Sequence, residues 1–320
     1  MSTVNTIPTI DISPWISSDS SDEDRDAVVS ALRDASRTYG FFQLVGHGIP
    51  LADQEGVFKC AERLFSISLE EKMEVSIKNA LGSANRGYEA FQGQTLQTGM
   101  LPDMKEGFFI GAEVPASDPR AGTFLTGPNL WPKSLPRESF QEPLEAYRMK
   151  MVELAEIVLK ALARGLPSPA TPDIFNEFMI EPSGNLRLLH YPPQTSVDER
   201  QLGAGAHTDF GGITFLLQQP GTSGLQVLYP PTEEWIEVPV KVNSFVVNIG
   251  DLLQKWTGSY YRSAWHRVIN TGDNHRYSAP FFFNGNMKLQ IAPIDGAPRV
   301  TVEEHIKGKL VESHPQRKAD

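Results

Sequence analysis

Residues 207–218 read HTDFGGITFLLQ, and the reading of this stretch decides the fold. Residues i and i+2 of an extended chain point to the same side, about 7 Å apart along the backbone, so His207 and Asp209 converge on one point. A third ligand, His266 in WHRV, follows after a gap long enough for several strands. Two neutral imidazoles and one carboxylate fill one face of a ferrous ion and leave three adjacent positions open, which suits non-haem Fe(II) chemistry. Zinc is the competing metal. It favours a closed tetrahedral set, or a bound water with three protein ligands.

His-x-Asp alone recurs by chance. Working outward, a second constellation joins it: Arg276-x-Ser278 in HRYSAPFFF, one turn and one strand beyond His266. The same period of two puts Arg276 and Ser278 on one strand face, and a guanidinium pointing into a barrel cannot shed its charge. It needs an anion, which the distal carboxylate of a small keto diacid supplies if the keto-acid end chelates the metal. The plainer alternative is a surface Arg paired with a nearby Glu. Zinc chemistry has no use for this pair.

From Asn185 onward, short β-rich runs are separated by Pro, Gly and Asn clusters, the pattern of a sandwich or jelly roll rather than of alternating β and α units. Helices come earlier. Residues 22–38 place Val28, Ala31, Leu32 and Ala35 on one stripe and stop at Gly40; residues 57–65 form a second helix. Ser68 with Glu71 reads as a capping box that opens a third. Residues 138–164 form a long helix with Leu144, Tyr147, Met151 and Leu154 inward, ended by Gly165.

The chain has 320 residues and 40% hydrophobic content, enough for a large β domain with helical flanks in one compact unit. A net charge of −10 and a pI near 5.3 argue against a nucleic-acid face. The acidic run SSDSSDEDRD reads as the solvated start of a helix. Cys60, the only cysteine, excludes an internal disulfide and fits the apolar stripe of Val57, Ala61 and Leu64. The start MSTV lacks a secretory pattern, and Glu153, Glu156 and Lys160 interrupt MVELAEIVLKALA, so no membrane span and a cytoplasmic monomer are expected.

Further segments appear in a set order: IPTIDISPW, YGFFQLVGHGIP, ERLFSISLEEK, NRGYEAF and MKEGFFIG, then LRLLHYPP, AHTDFGGITFLLQ, GLQV, VVNIGDLLQKWT, SAWHRV and RYSAPFFFN. In these, over most of its length, the chain resembles the isopenicillin N synthase-like family of Fe(II)/2-oxoglutarate-dependent dioxygenases. The resemblance implies a mainly β fold with flanking helices, built on a double-stranded β-helix (jelly-roll) core. It implies an N-terminal helical and strand region, residues 1–118, packed on a catalytic core, residues 119–320, with the motifs in 185–290 and a C-terminal tail. His207, Asp209 and His266 would bind Fe(II). Arg276 and Ser278 would bind 2-oxoglutarate, and Tyr191 matches a tyrosine that often contacts it. Many relatives carry Asn two residues before that tyrosine, where this chain has Leu189.

Such an enzyme consumes dioxygen and 2-oxoglutarate, releases succinate and carbon dioxide, and hydroxylates, desaturates or cyclises at an unactivated C–H bond of a small organic molecule. A natural-product intermediate or planar heterocycle is expected, since LRLLHYPP is similar to the corresponding strand of thymine hydroxylases. Period two from Tyr191 brings Leu189 and Arg187 to the same face, making Arg187 the first residue for substrate recognition. The same period brings Phe282 to the face of Arg276, where its ring can stack on a flat substrate, with Phe281 and Phe283 as further aromatic surface. An oxidase like isopenicillin N synthase, which lacks 2-oxoglutarate, and a non-catalytic ligand-binding protein are the alternatives.

The other histidines are expected elsewhere: His47 in a turn, His190 and His275 opposite to Tyr191 and Arg276, and His305 and His314 in solvent. GQTLQTGMLPDMK and the C-terminal IKGKLVESHPQRKAD are expected to fold over the mouth.

Overall fold

The computed structural model describes residues 6–194, 198–269 and 273–313. In chain order the strands are β1 (Thr9–Asp11), β2 (Phe41–Val45), β3 (Gly87–Glu89), β4 (Glu106–Ile110), β5 (Ser183–Tyr191), β6 (Ala204–His207), β7 (Ile213–Gln218), β8 (Leu225–Tyr229), β9 (Glu234–Glu237), β10 (Phe245–Ile249), β11 (His266–Val268), β12 (Arg276–Gly285), β13 (Gln290–Ile291) and β14 (Val300–Thr301). The α-helices are α1 (Ser13–Ile16), α2 (Asp22–Thr38), α3 (Leu51–Ser66), α4 (Leu69–Glu74), α5 (Gln141–Arg164), α6 (Asp251–Trp256) and α7 (Val302–Ser313).

Eight strands form the major sheet in the order β1-β2-β10-β7-β12-β5-β4-β3, and four form a minor sheet, β6-β11-β8-β9. Between the sheets lies a small apolar cluster that includes Phe41, Leu189, Tyr191, Leu225 and Val268. The other face of the major sheet packs on α2, α3 and α5 through the larger core, where Leu154, Val158, Leu159 and Phe281 are buried. This is the jelly-roll architecture expected from the β-rich second half. The first half adds β1 and β2 to one edge of the major sheet, and β3 and β4 to the other.

Local chemistry explains the helices. Ser21 and Asp24 make a reciprocal capping box at the start of α2, and Ser68 and Glu71 make the expected one on α4. On α2, Val28, Leu32 and Ala35 are buried, but Ala31 is exposed; Val29 and Ser36 are buried, so the core face is rotated from the expected stripe. Helix α3 begins before residue 57, at Leu51, whose exposed side chain hides the first turn from an apolar-stripe reading. Cys60 is buried on it beside Val57, Ala61 and Leu64, and burial pushes its thiol up to about 11. Helix α5 starts at Gln141 rather than 138, after a short 3-10 turn, with Pro143 in the first turn where a missing N–H costs no helical bond. Among the described residues no helix is long and apolar enough to cross a membrane.

Strand β12 carries the site and the core on opposite faces. Ala279, Phe281 and Phe283 are buried in the helix-facing core, whereas Arg276, Ser278, Pro280 and Phe282 line a cavity between the sheets. The period of two thus removes Phe281 and Phe283 from the aromatic surface expected for substrate, leaving Phe282 alone.

Candidate active site

Antiparallel pairing of β6 with β11 sets His207 directly opposite His266. Asp209 follows two residues after the end of β6, in the turn before β7, where its carbonyl accepts from Asp251 N at 2.7 Å. That close approach needs Gly250: a Cβ there would lie 2.2 Å from the Gly211 carbonyl oxygen. The result brings one ligand atom from each of His207, Asp209 and His266 within 4.8 Å of one another, a group that could hold a metal ion. Asp209 Oδ1 lies 3.9 Å from His207 Nε2 and 3.8 Å from His266 Nε2.

The outer atoms of all three side chains are tied back. His207 Nδ1 lies 2.7 Å from the Gly205 carbonyl, and His266 Nδ1 lies 3.3 Å from that of Ala264, so the Nδ1–H tautomer leaves each Nε2 lone pair inward. Asp209 Oδ2 accepts from Thr214 Oγ1 at 2.6 Å and Asn248 Nδ2 at 2.7 Å, leaving Oδ1 for a cation. Burial, and next the neighbouring His266, hold the His207 imidazolium well below the usual histidine range. Burial alone would raise Asp209, but His266, His207 and its two hydrogen bonds outweigh that and lower it. Two imidazoles beside a carboxylate form a donor set that could hold a divalent metal ion.

Pairing of β12 with β5 places Arg276 opposite Tyr191 and Ser278 opposite Leu189. All four are buried, and the Arg276 guanidinium lies over the Tyr191 ring at 4.7 Å. Among the described residues none gives the three guanidinium nitrogens a hydrogen bond of good geometry, although Tyr191 is near enough to favour the charge. Burial outweighs that help and lowers the pKa of Arg276. A buried cation without an anion is costly, and it fits a site that receives a carboxylate. The cavity containing Arg276 and Ser278 also contains His207, Asp209 and His266, so the metal group and the anion cradle share one space, of about 70 Å³.

A larger cavity, about 890 Å³, adjoins it through Arg187, His207, Asp209 and Phe282. Arg187 lies over the Phe109 ring at 4.3 Å and pairs with Glu89, with Gln94 Oε1 at 3.4 Å from Nη2. Phe282 borders both cavities and Leu189 only the inner one. Residues of the GQTLQTGMLPDMK stretch from Gly93 to Met100, with Ile306 and Leu310 of α7, line the outer cavity, so the described parts of both mouth segments reach it. The tail beyond Ser313, including His314, lies outside the described residues.

The remaining histidines among the described residues lie outside the metal group. His47 is buried at a turn and accepts from Ile49 N; His190 bonds Glu106 and His275 on the far side of β5. His305, expected in solvent, is half-buried because α7 packs against the body of the fold; burial lowers its pKa, and its Nε2 has no partner among the described residues. Thr214, Asn248, Glu89 and the buried Lys105–Asp103 pair escape a reading of the sequence alone. Asn248 stands in VVNIGD and Glu89 in NRGYEAF, but motif membership carries no sign of which distant side chain each would meet.

The family model for the N-terminal region of non-haem dioxygenases, named for morphine synthesis, matches residues 7–134, and that for the 2OG-Fe(II) oxygenase superfamily matches residues 182–285. The chain is 50% identical over 307 residues to the 2-oxoglutarate-dependent dioxygenase tropC of Talaromyces stipitatus, covering 95% of this chain and 94% of that protein. It is 42% identical over 310 residues to the 2-oxoglutarate-dependent dioxygenase eupC of a Phoma species, with 96% and 93% covered. Its fold is similar to that of a full-length Neurospora crassa protein solved in complex with alpha-KG and thymine, at a TM-score of 0.82 and 28% identity over 96% of this chain and 97% of the other. With sequence, fold and a three-ligand cluster in agreement, the chain belongs to the 2-oxoglutarate- and Fe(II)-dependent dioxygenases.

Proposed function

We propose that this dioxygenase oxidises an unactivated C–H bond of a small, flat organic molecule in fungal secondary metabolism. In this reading His207, Asp209 and His266 hold the iron, Arg276 and Ser278 hold the distal carboxylate of 2-oxoglutarate with Tyr191 beside it, and Arg187, Phe282 and Leu189 border the substrate. Fe(II) with 2-oxoglutarate and dioxygen supplies the oxidant that removes hydrogen from carbon, leaving succinate and carbon dioxide. The protein contributes placement. Asn248 and Thr214 keep one Asp209 oxygen turned away from the metal position, and the apolar walls keep water from the reacting centre.

The observation that carries the reading is the orphaned Arg276 guanidinium in the same cavity as the three metal-ligating atoms. The curated relatives named above are fungal, and the Neurospora crassa protein was solved with thymine, a planar heterocycle. Here the Phe282 ring and the Arg187 guanidinium, both bordering the outer cavity, suit stacking and hydrogen bonding to such a molecule. The reading extends to a monomer of one unit, residues 1–118 with 119–320, acting in the cytoplasm, a reducing compartment that a single buried thiol suits.

The test is a panel of flat aromatic and heterocyclic compounds, incubated in air with Fe(II) and 2-oxoglutarate. Succinate release stimulated by one compound, in step with its oxidised product, is the expected result. Product without succinate would instead support an oxidase that dispenses with 2-oxoglutarate. Arg187→Ala should weaken substrate affinity while leaving slow, substrate-independent succinate release intact.

A further inference from the structure

Most polar side chains of the inner cavity are already committed. Thr214 and Asn248 serve Asp209, and Arg187 serves Glu89 through Nη2, with its Nε left without a partner among the described residues. Lys105 is different. It directly precedes β4, its side chain is 2% exposed, and it lines the inner cavity. Its ammonium donates to Asp103 Oδ2, while Asp103 Oδ1 accepts from Gly205 N at 2.9 Å on the metal-ligand strand β6. An ammonium has three hydrogens. Among the described residues Asp103 is the only acceptor found for them.

Position separates Lys105 from the Arg276 cradle. Through Asp103, Lys105 is tied to Gly205, two residues before His207 on β6, whereas Arg276 lies opposite Tyr191 and over its ring. Desolvation depresses the lysine to about 8 even with Asp103 beside it, so the cation has less negative charge around it than it needs. The wall shared by the two cations is largely apolar, with Leu189, Leu216 and Val268 offering no competing donor.

We infer that Lys105 is a second anchor of the inner cavity, donating to the metal-proximal carboxylate of 2-oxoglutarate while Arg276 takes the distal one. The inference rests on the 2-oxoglutarate reading above. A dianion has two ends that must each be desolvated, and charge-assisted hydrogen bonds at both fix its direction as well as its affinity. Because Asp103 also holds Gly205, whose carbonyl orients His207, the same pair links the co-substrate to the strand that presents a metal ligand.

The test compares wild-type and variant proteins loaded with Ni(II) and titrated calorimetrically with 2-oxoglutarate, then with 2-oxobutyrate, which has the keto-acid end but no distal carboxylate. Lys105→Met alone would leave Asp103 buried and unpaired and so lose stability whatever the ammonium does. The deciding protein is therefore the double variant Asp103→Asn, Lys105→Met. It should lose at least about tenfold in affinity for both ligands, by a similar factor, as expected for a charge-assisted hydrogen bond, while Ni(II) affinity stays within about threefold. Unchanged 2-oxoglutarate affinity in the double variant overturns the inference, as does a loss confined to 2-oxoglutarate, or a fall in Ni(II) affinity equal to that for the ligands, which would make the pair a strut for β6. A wild-type protein that takes up no 2-oxoglutarate overturns both this inference and the reading beneath it.

Discussion

Arg276 is a guanidinium buried with no anion beside it among the described residues, and a folded chain keeps such a group at a cost in stability. Function and stability therefore pull in opposite directions at this residue. Arg276→Met should leave the metal-free protein as stable as the wild type or more so, by up to about 4 kcal/mol, because an apolar side chain of similar length needs no partner. The same change should weaken 2-oxoglutarate roughly a hundredfold, on the order of the ~3 kcal/mol upper range of a hydrogen bond to a charged group. Thermal unfolding of the metal-free protein and calorimetric titration of the loaded one check the two halves. A marked loss of stability in the first would mean that the guanidinium is a structural strut. Arg187, by contrast, is met by the half-buried Glu89, so its removal leaves that carboxylate without its cation and is expected to cost some stability as well as substrate affinity.

Strands β4 and β5 each present one face to the cavity, and on the other Glu106 and His190 belong to a second polar cluster. On that far face Glu106 accepts from Lys72 at 2.9 Å and from Tyr88 at 2.5 Å, with His190 at 2.7 Å, and His190 reaches His275 at 2.7 Å. Burial pushes the Glu106 carboxyl upward, but the bonds from His190, Tyr88 and Lys72 outweigh it and hold the group below its ordinary value of 4.5. The folded state then binds fewer protons than the unfolded state in this range. The stability contributed by Glu106 is fully present above about pH 4.5 and is lost as the pH falls toward the lower folded value. Glu106→Gln should be less stable near neutrality and should show a shallower acid limb, read from denaturant midpoints across that range. Parallel acid limbs in the two proteins would show that the carboxylate gains nothing from its neighbours.

The two cavities give the whole molecule a division of labour. Arg276 and Ser278 border only the inner one, Leu310 and Ile306 of α7 only the outer one, and His207, Asp209, Arg187 and Phe282 border both. Narrowing the outer space with Leu310→Trp should therefore raise KM for the organic substrate severalfold while leaving 2-oxoglutarate affinity within about twofold, as measured by steady-state kinetics and calorimetric titration. Equal weakening of both would show that the spaces are not separate.

Much of this arrangement follows from local rules. The period of two places His207 with Asp209, Arg276 with Ser278, and Arg187 with Leu189 and Tyr191, while capping boxes and apolar stripes mark α2, α4 and α5. Such rules fix which face a side chain takes, because they depend only on neighbours along the chain. They do not determine which distant side chain waits on that face. Register and sheet order brought Asn248 to Asp209 across 39 residues, Glu89 to Arg187 across 98 and Asp103 to Gly205 across 102. The amino-acid sequence by itself thus pointed to the His207, Asp209 and His266 group, to the cation at Arg276 and to the jelly-roll class. Only the tertiary structure decided that Arg187 is neutralised by Glu89 and that Lys105 stands in the cavity, since those facts depend on pairings between strands far apart in the chain.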